Sequence, residues 1–209
     1  MSTCALVAAS DFNAEHFSGC DEAGLFDEVY AVDAGFAHLE ALGRRCDVAI
    51  GDFDSLGYVP QARIVSRHPV KKDKSDLELA LDRVASYGFD EVVIYGALGG
   101  RLDHTLSNLQ LAAKFAERGI EVTFIGLDEA VRVVVGPDVF ELPPYDEGTV
   151  SVFAFSDEAH GVIERGMAYS LDDVTLTART SLGLSNQLTG ESAAVAVEEG
   201  TLLVFYPLA

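Results

Sequence analysis

Ser75-Asp76-Leu77-Glu78-Leu79-Ala80-Leu81-Asp82-Arg83-Val84-Ala85 and Glu91-Val92-Val93-Ile94-Tyr95-Gly96-Ala97-Leu98-Gly99-Gly100-Arg101-Leu102-Asp103-His104 decide how the chain is read. In the first segment Ser75 and Glu78 have the spacing of a capping box, and Leu77, Ala80, Leu81, Val84 and Ala85 share one helical face. Gly88 stops that helix. The second segment opens as a Val- and Ile-rich strand and passes through a loop holding Gly96, Gly99 and Gly100. It then enters a helix predicted over 103–118, with Leu102, Leu106, Leu109, Ala113 and Ala116 as its apolar stripe. Alternation of helix and buried strand argues for a parallel sheet covered by helices.

Outward from this centre the alternation continues. Strands are predicted at 5–8, 28–32 and 47–50, with a short one at 62–65. Residues 37–42 read as helix, and 11–24 as a loop with a helical turn. Strands at 121–126 and 130–135 follow, and then Pro137, Pro143 and Pro144 break the rhythm. Beyond them only short strands are predicted, at 150–155, 162–164, 174–177, 193–197 and 202–206. Glu198-Glu199-Gly200 reads as a hairpin turn between the last two. The expected fold class is α/β plus β: a Rossmann-like parallel sheet with helices over 1–136, then a small β-sandwich over 137–209.

The bulk numbers narrow the partners. Against 14 Lys and Arg stand 34 Asp and Glu, a net charge of −20. Such a surface repels nucleic-acid backbone and anionic lipid, so neither a nucleic acid nor a membrane is expected as partner. Nucleotides stay open, because a bound divalent cation reverses the local field. Cys4, Cys20 and Cys46 form neither a disulfide framework nor a zinc pattern, which suits a reducing compartment and a cytoplasmic location. No basic segment precedes the short N-terminal apolar run, and no run nears the roughly 20 residues of a membrane span.

Three clusters carry the candidate chemistry. Asp52 and Asp54, one residue apart after a buried strand, can reach one Mg²⁺, which takes oxygen ligands; each can also serve only an Asx-turn. Asp73 and Asp76 flank the cap Ser75, where the helix dipole alone explains Asp76. Lys72 and Lys74 in the same loop can clamp phosphate oxygens. In the glycine loop, Arg101 offers a planar fork of donors and Asp103 starts a helix whose N-terminus can hold an anion. His104 reads as a general base or as an ordinary helix histidine. The loop is neither a Walker A motif nor the dinucleotide fingerprint. Singly each cluster is weak. All three fall at successive strand ends of one sheet, where crowded carboxylates need a metal or cationic group to offset them.

With these residues the chain resembles the thiamine pyrophosphokinase family. The resemblance rests on Gly51-Asp52-Phe53-Asp54-Ser55, on Lys72-Asp73-Lys74-Ser75-Asp76, on Gly96 to His104 with Asn108, and on Gly183-Leu184-Ser185-Asn186. It implies a nucleotide-binding domain followed by a thiamine-binding β-sandwich, in a homodimer with active sites between subunits. The implied reaction converts ATP and thiamine to AMP and thiamine diphosphate with Mg²⁺. Asp52, Asp54, Asp73, Asp76 and Asp103 are the implied catalytic acids, joined by Arg101, with Asp52, Asp54 and Asp76 at the metal. On the ATP side the resemblance places Asp33, Lys72, Lys74, Gly99, Gly100, Arg101, His104 and Asn108, and on the thiamine side Ser185 and Asn186. The chain departs from the family in Asp33-Ala34-Gly35, where Asp-Gly-Gly is common, and in Gln187-Leu188, where some members place a stacking Trp. Two other classes stay open from sequence. A metal-dependent nucleotide phosphohydrolase would release AMP without an acceptor, and a non-catalytic thiamine sensor would bind without turnover.

Overall fold

A computed structural model describes residues 1–143 and 145–208. Two compact units divide the chain, Met1–Leu127 and Asp128–Ala209. It is a mixed α/β chain with a parallel sheet and antiparallel sheets.

The first unit runs β1 (Thr3–Val7), α1 (Ala14–Glu22), β2 (Glu28–Val32), a 3-10 turn (Asp33–Gly35), α2 (Phe36–Ala41), β3 (Cys46–Gly51) and β4 (Ala62–Arg67). It continues through α3 (Asp76–Tyr87), β5 (Glu91–Tyr95), α4 (Leu102–Ala116) and β6 (Glu121–Ile125). Its strands pair in parallel in the order β6-β5-β1-β2-β3-β4. Every residue of β1 is buried, so the sheet is covered on both faces at its centre. The direction of strand order reverses between β1 and β5. That is where open α/β sheets leave a crevice at the carboxyl ends of the strands.

Helix α3 forms as its pattern requires. Ser75 Oγ accepts from the Glu78 N–H at 3.2 Å, a cap that contributes about 1 kcal/mol. Leu77, Ala80, Leu81 and Val84 are buried, each leucine contributing about 1.5–3 kcal/mol, and Gly88 closes the helix in the left-handed conformation. The capping box is only half made: the Glu78 carboxylate accepts from Lys114 Nζ at 2.6 Å.

Two expectations need correction in this unit. Leu102 and Leu106 are not core residues; they are 81% and 51% exposed, and the buried residues of α4 are Leu109, Ala112, Ala113, Phe115 and Ala116. The helix meets β6 and α3 only with its later turns buried, so its first turns stand free of the core. Residues 11–24 hold a full helix, α1, capped by Asn13 Oδ1 accepting from the His16 N–H at 3.1 Å. Its one buried residue, Phe17, leaves no periodic stripe to read.

The second unit holds β7 (Glu129–Val135), β8 (Asp138–Glu141), β9 (Thr149–Ala154), β10 (Glu158–Arg165), β11 (Leu171–Thr177), β12 (Asn186–Gln187), β13 (Ala194–Val197) and β14 (Thr201–Pro207). All its pairings are antiparallel, in the orders β7-β14-β9-β12 and β11-β10-β13-β8. Strand β7 pairs with β14 along its whole length, so the division falls ahead of Pro137, where the sequence breaks. The expected hairpin over 198–200 is not one. β13 pairs with β10 and β8, whereas β14 pairs with β7 and β9, so the turn carries the chain from one sheet to the other. Its backbone is bonded sideways instead: His160 N–H donates to Glu199 O at 2.8 Å, and Glu198 N–H to His160 O at 3.0 Å. A Cβ at Gly200 would lie 2.7 Å from Glu158 O, so the turn seats on β10 only with glycine there.

Candidate active site

The carboxyl ends of β2 and β3 bring the acids together. The 3-10 turn after β2 begins at Asp33, and β3 runs into Asp52-Phe53-Asp54. Asp33, Asp52 and Asp54 each offer a carboxylate oxygen, and these oxygens lie within 4.8 Å of one another. The first two are half-buried and Asp54 is exposed. Two non-glycine residues here are left-handed, Asp33 with φ 48° and Phe53 with φ 62°. Such backbone persists only where surroundings over-determine it. One restraint is Asp33 Oδ1, which accepts from the Phe53 N–H at 3.1 Å. Another is packing: a Cβ on Gly35 would lie 2.0 Å from Val7 O, and one on Gly51 would lie 3.0 Å from Asp33 Cα. The second glycine of the family's Asp-Gly-Gly is thus indispensable here, while Ala34 meets no such demand. Asp52 Oδ1 also accepts from the Asp54 N–H at 3.2 Å, so the Asx-turn and the clustering of carboxylates coexist.

Lys72 joins this cluster to α3. Its Nζ is 2.8 Å from Asp52 Oδ2 and 3.1 Å from Asp76 Oδ1, and its side chain is only 14% exposed. The Lys72 hydrogen bond, with the Asp54 N–H, holds the Asp52 carboxyl below its usual range. Burial pushes the Asp76 carboxyl up; Lys72 opposes this, and the charges of Asp52 and Asp33 reinforce it. Asp76 Oδ1 is buried and lies close to Lys72, yet outside hydrogen-bond geometry, so it is an acceptor without a proper donor. Three carboxylates with oxygens within 4.8 Å of one another, all hard donors, suit a divalent cation.

The other expected residues are arranged differently. Arg101 and Asp103 pair with each other at 2.5 Å, both well exposed, and Asp103 Oδ1 also accepts from the His104 N–H at 3.0 Å. Arg101 holds the Asp103 carboxyl below its usual range. Lys74 is turned to Asp82 at 2.6 Å, away from Asp52 and Asp76, and Asp73 is exposed. Asn108 Nδ2 donates to Ala97 O at 2.8 Å and so pins the glycine loop to α4. Gly99 and Gly100 are left-handed, with φ 80° and 59°. A Cβ at Gly99 would lie 2.2 Å from Asp11 Oδ2, and one at Gly100 would lie 3.0 Å from Ser10 Oγ. Ser10 and Asp11 therefore face the glycine loop at the crevice between β1 and β5. The sequence reading missed them, though an acid just past the first strand of such a sheet is a usable signal.

In the second unit Ser185 is exposed and left-handed, φ 60°, with its N–H donating to Ser151 Oγ at 3.0 Å. Asn186 is 4% exposed and fully committed within the chain. Its Nδ2 donates to Glu164 Oε2 at 2.7 Å and to Tyr169 O at 2.6 Å, and its Oδ1 accepts from Tyr169 N–H and Gln187 N–H. Two donors and two lone pairs are thus all used, which leaves none for a ligand. Glu164, which the sequence reading did not select, is 0% exposed, and burial pushes its carboxyl above the usual range.

Known proteins share part of this sequence and the fold of the whole chain. Residues 26–124 match the family described as thiamin pyrophosphokinase, catalytic domain. The thiamine pyrophosphokinase of Bacillus subtilis is 29% identical over 184 residues, covering 84% of this chain and 81% of that protein. A crystal structure of thiamine pyrophosphokinase from Bacillus subtilis superposes with a TM-score of 0.82 at 25% identity, covering 99% of each chain. That from Geobacillus thermodenitrificans gives 0.80 at 26% identity, covering 99% of this chain and 98% of its own. The chain is similar to the thiamine pyrophosphokinases over its catalytic-domain match and in the fold of its whole length. The family's catalytic-domain match contains Asp33, Asp52, Asp54, Lys72, Asp76, Arg101 and Asp103, whereas Asp11, Ser185 and Asn186 lie outside it. The family resemblance read from the short motifs is therefore carried by the fold as a whole.

Proposed function

We infer that the chain is a thiamine diphosphokinase, moving a pyrophosphoryl group from ATP to the hydroxyl of thiamine and releasing AMP. The single observation that carries this is the catalytic-domain match over 26–124, which encloses the Asp33–Asp52–Asp54 cluster. On this reading the first unit is a Rossmann-like nucleotide domain and the second a small β-sandwich that receives thiamine.

Asp52 and Asp54, with Asp33 beside them, are the residues that would hold Mg²⁺, and Asp76 supports them through Lys72. Bound there, the cation would offset the carboxylates and spread the negative charge that develops on the transferred group. The protein's own share is positioning. Lys72 keeps Asp52 ionised and oriented. Arg101 exchanges its exposed partner Asp103 for phosphate oxygens, which its planar fork fits. Asp103, freed from that pair, orients the acceptor hydroxyl and takes its proton as its oxygen bonds to the β-phosphorus and AMP departs with the bridging oxygen. Glycines 99 and 100 let the backbone approach the polyphosphate, and Asp73, Lys74 and His104 line its approach.

A homodimer is part of this reading. Leu102 and Leu106 expose an apolar turn on α4 that a second copy would cover. Among the described residues no helix is long and apolar enough to cross a membrane, and all three cysteines are free, which supports a cytoplasmic enzyme. Assaying AMP release from Mg-ATP with and without thiamine tests the assignment. Release that depends on thiamine is the expected result. Equal release without thiamine marks a hydrolase, and thiamine binding with no AMP at all marks a sensor.

A further inference from the structure

The Gly183–Asn186 segment is built for something its own side chains do not perform. Asn186 spends its whole hydrogen-bonding capacity inside the chain, and half of it goes to one residue, Tyr169, whose backbone N–H and C=O are both bonded to the Asn186 amide. The bend leading into Tyr169 is held to the 187–188 segment, with Met167 in an isolated antiparallel bridge to Leu188 and Ala168 N–H donating to Gln187 O at 2.9 Å. Yet the ring so carefully held is 69% exposed. Two other tyrosines are also exposed, and both are occupied: Tyr58 donates to Glu40, and Tyr87 lies beneath the Arg83 guanidinium at 4.5 Å. Among the described residues the Tyr169 ring has neither a hydrogen bond nor a ring contact.

Beneath the segment lies Glu164, 0% exposed, with Oε2 bonded to Asn186 and Oε1 buried without a partner. A buried acceptor left unmade is destabilising, and such a group in a native fold calls for an explanation. Gly183 sits against it: a Cβ there would lie 3.2 Å from Glu164 Oε1 and 2.5 Å from Val152 O. The result is a strut, Glu164 to Asn186 to the Tyr169 backbone, ending in a free aromatic face. The chain has no Trp, so any ring that stacks on a substrate must be another aromatic.

We propose that Tyr169 is the platform on which this enzyme seats the cationic heteroaromatic acceptor, with Asn186 and Glu164 as positioning residues. This rests on the thiamine reading above. A π-face attracts a cation electrostatically, and desolvation strengthens the attraction.

The test is steady-state AMP formation by the full chain, varying thiamine and Mg-ATP separately, with sizing to follow oligomeric state. Tyr169→Ala and Tyr169→Leu should raise the thiamine KM about tenfold and leave the ATP KM within about twofold, while Tyr169→Phe, which keeps the ring, stays near the parent. Glu164→Ala should shift the thiamine KM in the same direction, and Glu164→Gln, which keeps an acceptor for Asn186, should restore it. Circular dichroism melts confirm that each variant is folded; Tyr169 is exposed, so its variants keep the question answerable if Glu164→Ala does not fold. A thiamine KM unchanged in both Tyr169→Ala and Tyr169→Leu overturns the proposal. So does a variant that dissociates into smaller species with both KM values shifted, which makes the ring a subunit contact. Parent protein that forms no AMP in response to thiamine overturns the functional reading itself.

Discussion

Replacing Lys72 with Met tests the electrostatic account of the site most directly. Lys72 is the cation that two carboxylates share, at 2.8 Å from Asp52 and 3.1 Å from Asp76, with 14%, 10% and 20% of the three side chains exposed. Opposite charges about 4 Å apart attract by about 4 kcal/mol at an effective dielectric of 20, but burial of the ammonium offsets part of that. Burial is the largest single influence on Lys72 and acts to lower its pKa; the hydrogen bond to Asp52 and the nearby Asp52 and Asp76 carboxylates together outweigh it, and the pKa ends above its usual value. Breaking a fully buried pair costs about 3–5 kcal/mol and an exposed one about 0–1, so a site between these limits should lose about 2 kcal/mol at pH 7. For a chain of this size that is a fall in melting temperature of about 4–8 °C. The pH dependence has a definite sign. The depressed Asp52 carboxyl contributes stability that is present above its unfolded pKa of 3.8 and disappears as pH falls through its lower folded value. Asp76 is raised, so its contribution is full below 3.8 and declines as pH rises through the folded value. Without Lys72 both carboxyls move up, and the penalty concentrates where both are ionised. Urea melts in EDTA should therefore show a parent-to-variant gap of about 2 kcal/mol at pH 7 that narrows below about pH 4. Mg²⁺ should then stabilise the variant more than the parent, because the variant pocket is more negative. A gap that is flat with pH, or no gap, refutes the assignment of Lys72 as the shared counter-ion.

Other expected outcomes follow from single contacts. Asp54→Ala should all but abolish AMP formation while the melting temperature holds, since Asp54 is exposed and lies in the carboxylate cluster; near-normal turnover would remove Asp54 from the site. Gly35→Ala drives a methyl to 2.0 Å from Val7 O, a main-chain atom that cannot swing aside, and should cost at least about 1–3 kcal/mol in a denaturant melt. Ser75→Ala removes the α3 cap and should cost about 1 kcal/mol, with Lys114 still holding Glu78; a neutral result would mean the cap bond at 3.2 Å contributes nothing.

Much of the first unit was legible because its signals are local. Strands 28–32 and 91–95 have the bounds read from the sequence, the second from its Val- and Ile-rich run, and the Ser75 cap and Gly88 stop lie where their spacing puts them. Helix α1 escaped because one buried phenylalanine makes no period. The α4 stripe was over-read at Leu102 and Leu106 because periodicity reports which side of a helix is apolar, not how far along it the core extends. Asp52 and Asp54 were legible as neighbours in one motif. Asp33 joins them through the return of the chain, and nothing in the intervening sequence fixes that distance.

The residue order alone was enough for the family resemblance, for most elements and for the carboxylate motifs, since caps, glycine stops and two-residue spacings act within a single turn or strand. Folding in three dimensions decided which groups meet. It sent β13 and β14 to different sheets across an apparent hairpin, brought Asp33 to Asp52 and Asp54, and saturated Asn186 with Glu164 and Tyr169. Those outcomes depend on burial and hydrogen-bond satisfaction between segments far apart in the chain, and no short stretch of sequence encodes its distant partner.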